Sequence, residues 1–176
     1  RRQKALIDPI LTNWFMSMED AYWLSFDESQ HAWHGLEIAK ALRASAPFWV
    51  AARLAPGRGS TEVMVLSPDR PGLFSALAGV FAASGANVIY ARVHTSRTRQ
   101  AFDVFALQDQ TGAAFGADRN DVLNNLIERL NRVLATPSTN TSPREVAYVT
   151  SGTNRAAAFA VDPLVMFDNQ GAANDT

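Results

Sequence analysis

Cysteine is absent from all 176 residues, which excludes disulfides, thiolate metal sites and cysteine nucleophiles. Its absence fits a reducing compartment, and the expected location is cytoplasmic. Long apolar runs are also missing: none approaches the ~20 residues that span a bilayer. The amino end, RRQKALIDPILTNWF, lacks the apolar stretch and small-residue cleavage site of a signal peptide. Nor is there an excess of either charge. Sixteen Lys and Arg face 17 Asp and Glu, for a formal net charge of −1, and no basic run is longer than Arg1-Arg2. Such a balance gives no support for nucleic acid or an anionic membrane as a partner. No methionine stands at position 1, and the chain is expected to be a piece of something longer. Its 47% hydrophobic content suffices for one good core with a smaller attached layer.

The pattern along the chain divides near residue 55. In residues 1–55, Ile10, Leu11, Trp14, Phe15 and Met18 recur at helical spacing after Pro9. A second helix is expected from about Asp27 to Ala44, with Ser25 and Glu28 as a capping box. PFWVAARL, Pro47 to Leu54, reads as a strand. TEVMVLS, from Thr61, is a β-branched run that predicts a buried strand. Leu73, Leu77, Val80 and Phe81 then mark a helix face, with Gly85 as a left-handed cap. ANVIYARVHTS and AFDVFALQD alternate and predict a hairpin turning at RTRQ, although that turn lacks the expected glycine or asparagine. Leu123, Leu126, Ile127, Leu130, Val133 and Leu134 form the clearest helical stripe. TPSTNTSP is a polar linker, and FAVDPLVMFDN, 159–169, is a candidate last strand at an edge because of Pro163. The expected fold is α+β: a ferredoxin-like βαββαβ unit with an N-terminal helical segment and an extra strand.

The most informative stretch is SPDRPGLF, where a strand ends in a Pro-Gly loop and a helix begins at once. A phosphate loop would need more glycines and a lysine. A bare helix start remains open, with Asp69 accepting from the first amides and Pro71 in the first turn. An amino-acid loop is the third reading. Elsewhere, His31 and His34 lie three apart and could present nitrogens on one helix face, but further metal ligands are lacking. His94, Tyr90 and Arg92 share a strand face that reads as solvated or as an inter-module contact. Asp103 is expected across the hairpin as a partner for Arg92 or His94. No serine–histidine–acid order stands out, and no catalytic residue is assigned. Trp14, Trp23, Trp33 and Trp49 are expected to pack the helices onto the sheet.

SPDRPGLFSALAGVFAASGANVIYARVHTSRTRQAFDVFALQDQTG resembles the ACT domain, a βαββαβ module that senses small ligands, commonly amino acids. More narrowly, with AYWLSFDESQHAWH before it and FAVDPLVMFDNQGAANDT after it, the chain resembles the bifunctional PII uridylyltransferase/uridylyl-removing enzymes around their first ACT domain. The resemblance implies the following division. Residues 1–55 are a helical linker after an HD domain, ending in a strand; 56–170 are the ACT domain; and 171–176 approach a second ACT domain. It implies a regulatory, non-catalytic piece that senses glutamine, within an enzyme that acts on the PII protein and needs Mg2+ only in its catalytic domains. The ligand site it implies is Asp69, Arg70, Gly72 and Leu73, facing Asn87, Val88 and Ile89, often across a module interface. Either the second ACT domain or a homodimer would supply the facing surface. An ACT module that only pairs with its neighbour is the alternative.

Overall fold

The computed structural model describes residues 9–136. Three helices come first: α1 (Pro9–Met16), α2 (Asp20–Ser25) and α3 (Glu28–Arg43). Strand β1 (Trp49–Ala55) leads through a 3-10 turn at Pro56–Arg58 into β2 (Ser60–Pro68). Then follow α4 (Leu73–Ala83), the hairpin β3 (Asn87–Thr95) and β4 (Gln100–Gln108), and α5 (Asn120–Ala135). The strands form one sheet in the order β1-β2-β4-β3, each neighbour antiparallel. This is an α+β fold consistent with the ferredoxin-like expectation.

Strands β2 and β4 read as nearly continuous apolar runs because both faces of the sheet are covered. On one face Val63, Val65, Phe105 and Leu107 pack with Leu73, Leu77 and Phe81 of α4 and Leu126, Leu130 and Leu134 of α5. On the other, Met64, Leu66, Phe102 and Val104 pack with Trp14, Met18, Tyr22, Phe26 and Ile38 of the first three helices. The chain thus builds two cores on one sheet rather than one core with a thin attachment. The tryptophans divide accordingly. Trp14 is buried with its ring 5.4 Å from Phe102, whereas Trp23 stays exposed.

The capping box of α3 lies two residues beyond the Ser25/Glu28 expectation. Phe26 is extended, so the helix starts only after Asp27. There the Gln30 amide donates to Asp27 Oδ1 at 2.9 Å, and the Asp27 amide donates to Gln30 Oε1 at 3.2 Å. Ser25 instead donates to the Ala21 carbonyl.

Beneath α3, Glu62 is fully buried on β2 and accepts from Gln30, Arg53, Arg58 and Tyr90 at 2.6–3.1 Å. Burial alone would raise its pKa, but the Arg53 guanidinium and the other donors hold it below the usual value. Arg58 also pairs with Asp27 at the start of α3. This polar node ties the helical layer to the sheet.

The expected boundary at 55/56 falls between β1 and β2, two paired strands, with Trp49 opposite Leu66 and Ala55 opposite Ser60. Among the described residues the sheet takes its fourth strand from before the βαββα run. The predicted last strand at 159–169, the linker beyond Thr136 and residues 171–176 lie outside the described residues.

Candidate functional site

The loop Asp69–Gly72 leaves the end of β2 and delivers the chain to α4. Gly72 is the N-cap, with φ +77°, a left-handed conformation that glycine adopts without steric cost. No side chain caps the helix, so Asp69 does not take the capping role expected of it. Pro71 likewise precedes the helix rather than opening its first turn, since Gly72 intervenes. The Leu73 amide donates to the Arg70 carbonyl at 3.2 Å, and Ala76 donates to Gly72 at 3.0 Å. Between them, the amides of Phe74 and Ser75 have no backbone acceptor among the described residues. These are the unengaged donors of the helix start.

That helix start opens on a cleft of about 190 Å³ lined by Asp69, Gly72, Ser75, Val93, Thr95 and Asp103, among others. Arg70 also borders it, but its guanidinium turns to the end of α5. There it donates to the carbonyls of Val133, at 2.9 Å, and Thr136. Arg70 thereby donates to carbonyls at a helix C-terminus, where a cation is also favoured by the helix dipole. Leu73 is buried in the core and also borders the cleft.

Asp103 was not foreseen as part of this site. It lies opposite Val93 on β3 and Val65 on β2, so it faces α4, away from Arg92 and His94. Its side chain is 1% exposed, and Oδ1 has no hydrogen-bond partner among the described residues. Burial, reinforced by the nearby Asp69 carboxylate and opposed by a hydrogen bond from the His94 main chain, raises its pKa to about 7.

The remaining predicted positions lie elsewhere. Asn87 pairs with Gln108, whereas Thr95 pairs with Ala101 beside the α4 cleft. Asn87, Val88 and Ile89 therefore occupy the far end of β3. Within one chain the structure brings together Asp69, Arg70, Gly72 and Leu73, and does not bring Asn87, Val88 and Ile89 to them. At that far end the ladder shifts register between Val88 and Tyr90, an irregularity on what is, among the described residues, an edge strand.

The three histidines gather around Tyr22, with ring centroids 5.2 Å (His31), 6.0 Å (His34) and 5.7 Å (His94) away. His94 is therefore covered by α2 rather than solvated. His34 is fully buried and shares a 3.2 Å hydrogen bond through Nδ1 with the Tyr22 hydroxyl. Burial, with the nearby His31 adding to it, lowers its pKa to about 3. No group of three or more His, Asp or Glu able to hold a metal occurs among the described residues. A larger groove of about 410 Å³ runs past Arg53 and Arg58, but both arginines are engaged by Glu62.

With this geometry, residues 61–114 match the ACT domain family. The chain carries a regulatory ACT module there, and the matched residues run through β2, α4, β3 and β4, with α1–α3, β1 and α5 outside them. Similarity extends well past the domain. The chain is 37% identical, over 96% of its length, to a bifunctional uridylyltransferase/uridylyl-removing enzyme of Caulobacter vibrioides. It is 37% identical over 98% of its length to the enzyme so described in Phenylobacterium zucineum, and 34% over 89% in Azospirillum brasilense. It covers only 16–18% of those relatives, so it corresponds to one ACT-bearing segment of much longer proteins.

Proposed function

We propose that this chain is an amino-acid-sensing ACT module, with glutamine as effector, of a cytoplasmic bifunctional PII uridylyltransferase/uridylyl-removing enzyme. The observation that carries the reading is the cleft at the start of α4. Unengaged amides at Phe74 and Ser75 offer a carboxylate site. Asp69 and Asp103 offer acceptors for an ammonium. Glutamine would act by binding one arrangement of the enzyme more tightly than another and so biasing which activity dominates.

The facing half of the site comes from a second module. Among the described residues β3 is an edge strand whose Val88, Ile89 and Val93 are 41%, 46% and 53% exposed. Antiparallel pairing of β3 with its counterpart would set the partner module's equivalent of the Asn87–Ile89 end beside Val93 and Thr95 of this one. The asparagine there would then reach the α4 cleft with an amide suited to the glutamine side chain. A second ACT domain or another copy of the chain meets this requirement equally. The same apolar edge also favours the alternative, a module that pairs without a ligand of its own.

Calorimetric titration of glutamine into this chain, and into one extended through the second ACT domain, separates the readings. Binding to either, with heat that saturates at a defined stoichiometry, supports sensing. Binding to neither, with β3 pairing intact, leaves the structural module standing and removes the sensor.

A further inference from the structure

A buried carboxylate with an unpartnered oxygen is a costly thing to keep inside a core. Asp103 is such a group. It sits mid-strand on β4 with Val65 and Val93 as its cross-strand neighbours, yet Oδ1 has no partner among the described residues. It lines the cleft at the α4 N-terminus, an eleven-residue helix with unengaged first-turn amides. The charged groups around it do not compensate it. Asp69, from the β2–α4 loop, has the same sign and acts on it unfavourably. Arg70, in that loop, has its guanidinium committed to the end of α5. His94, from β3, offers only its main-chain amide because its ring lies on the other face. Helix α4 presents Leu73, Phe74 and Ser75, none of them charged.

We infer that Asp103 determines the ligand class of this cleft: it receives the ammonium of an α-amino acid whose carboxylate rests on the first-turn amides of α4. The inference rests on the sensing role proposed above and adds to it the residue that makes an amine obligatory. A cationic group at Oδ1 would fill an unmet acceptor of the carboxyl, offset two carboxylates in a cleft that has no free cation among the described residues, and leave the Ser75 and Thr95 hydroxyls for the rest of the ligand. An anion lacking the amine would meet the same amides but face Asp69 and Asp103 unneutralised.

The test is titration calorimetry with two probes, L-glutamine and its des-amino analogue glutaramate, on the wild-type chain and on Asp103→Asn. Losing one charge-assisted contact weakens glutamine roughly ten- to a hundredfold in the variant. Glutaramate binds the wild type weaker by a similar factor and does not lose affinity further in Asp103→Asn. A structural role for Asp103 would not produce the pH signature. Glutamine affinity for the wild type falls about tenfold per unit as pH drops below 7, and the variant shows no such slope. Equal affinity of the wild type for both probes, or of both proteins for glutamine, overturns this assignment and leaves the sensing role in place. Failure of both probes to bind the wild type, both as this chain and extended through the second ACT domain, overturns the sensing role and this inference together. The comparison of probes on the wild type needs no variant, so it decides even if Asp103→Asn folds poorly.

Discussion

Lowering the pH from 7 to 5 should leave the stability of this protein nearly unchanged, because two buried groups oppose each other. His34 has its folded-state pKa depressed from 6.5 to about 3. Its contribution is therefore present above 6.5 and is lost as pH falls, since the unfolded imidazole takes up a proton that the folded one refuses. Across the 1.5 pH units between 6.5 and 5, this removes about 2 kcal/mol at ~1.4 kcal/mol per unit. Asp103 has the opposite sign. Its folded-state pKa is raised from 3.8 to about 7, so its contribution is full below 3.8 and lost as pH rises through 7. Acidification from 7 to 5 thus returns about 2 kcal/mol, since the group is already half protonated at pH 7. The two groups lie on opposite faces of the sheet and do not touch, so their effects should add. Urea unfolding at pH 5, 6, 7 and 8 reads the balance directly. Asp103→Asn removes the acid-side gain and should lose about 2 kcal/mol between pH 7 and 5. In His34→Gln the opposing loss disappears, and stability should rise by about 2 kcal/mol over the same interval. His94, also depressed chiefly by burial, acts in the same direction as His34. A parallel pH dependence in the wild type and Asp103→Asn would refute the reasoning, because the buried carboxyl would then carry no proton linkage.

Gly72→Ala should cost about 1–2 kcal/mol, seen as a drop in melting temperature, because φ is +77° and no neighbouring atom within 4 Å complicates the cause. Arg99, with φ +61°, holds the hairpin in a left-handed conformation, and Arg99→Gly should stabilise by about 0.5–1 kcal/mol in the same assay. Glu62→Gln should cost about 2 kcal/mol: it breaks a buried node, though Arg53 and Arg58 are partly exposed and can turn to water. Hydrogen exchange of α3 amides should quicken in that variant. Val93→Lys places a charge on the exposed β3 edge and should abolish module pairing in sedimentation while leaving unfolding of the single module unchanged within about 0.5 kcal/mol.

Element types were largely legible because the apolar periods are strong. Helix α5 shows its Leu126, Leu130 and Leu134 stripe plainly, and Gly85 adopts the left-handed conformation expected at the end of α4. The second helical layer was harder to see. Tyr22 and Phe26 sit on a short helix and an extended residue, too brief for a period to register. The histidines illustrate the limit. Their spacing invites a metal reading, and only the packing of α2 against β3 shows that they surround a buried tyrosine instead.

Asp103 shows why the site itself was only half legible. A turn at RTRQ sets His94 opposite Asp103 and puts the carboxyl on the face of Tyr90 and Arg92. In the structure Thr95 pairs with Ala101 and Val93 with Asp103, one residue away from that register. The reason is local. Ser96 joins the turn, its amide donating to the Gln100 carbonyl at 2.8 Å and its hydroxyl accepting from the Gln100 amide at 3.1 Å, and Arg99 takes the conformation usually given to glycine. A one-residue slip in an antiparallel pair moves every side chain to the other face. It moves Asp103 from a surface ion pair to the floor of the α4 cleft. The residue that best explains an amine-selective site was thus in view in the sequence, and a single unorthodox turn residue decided which side of the sheet it served.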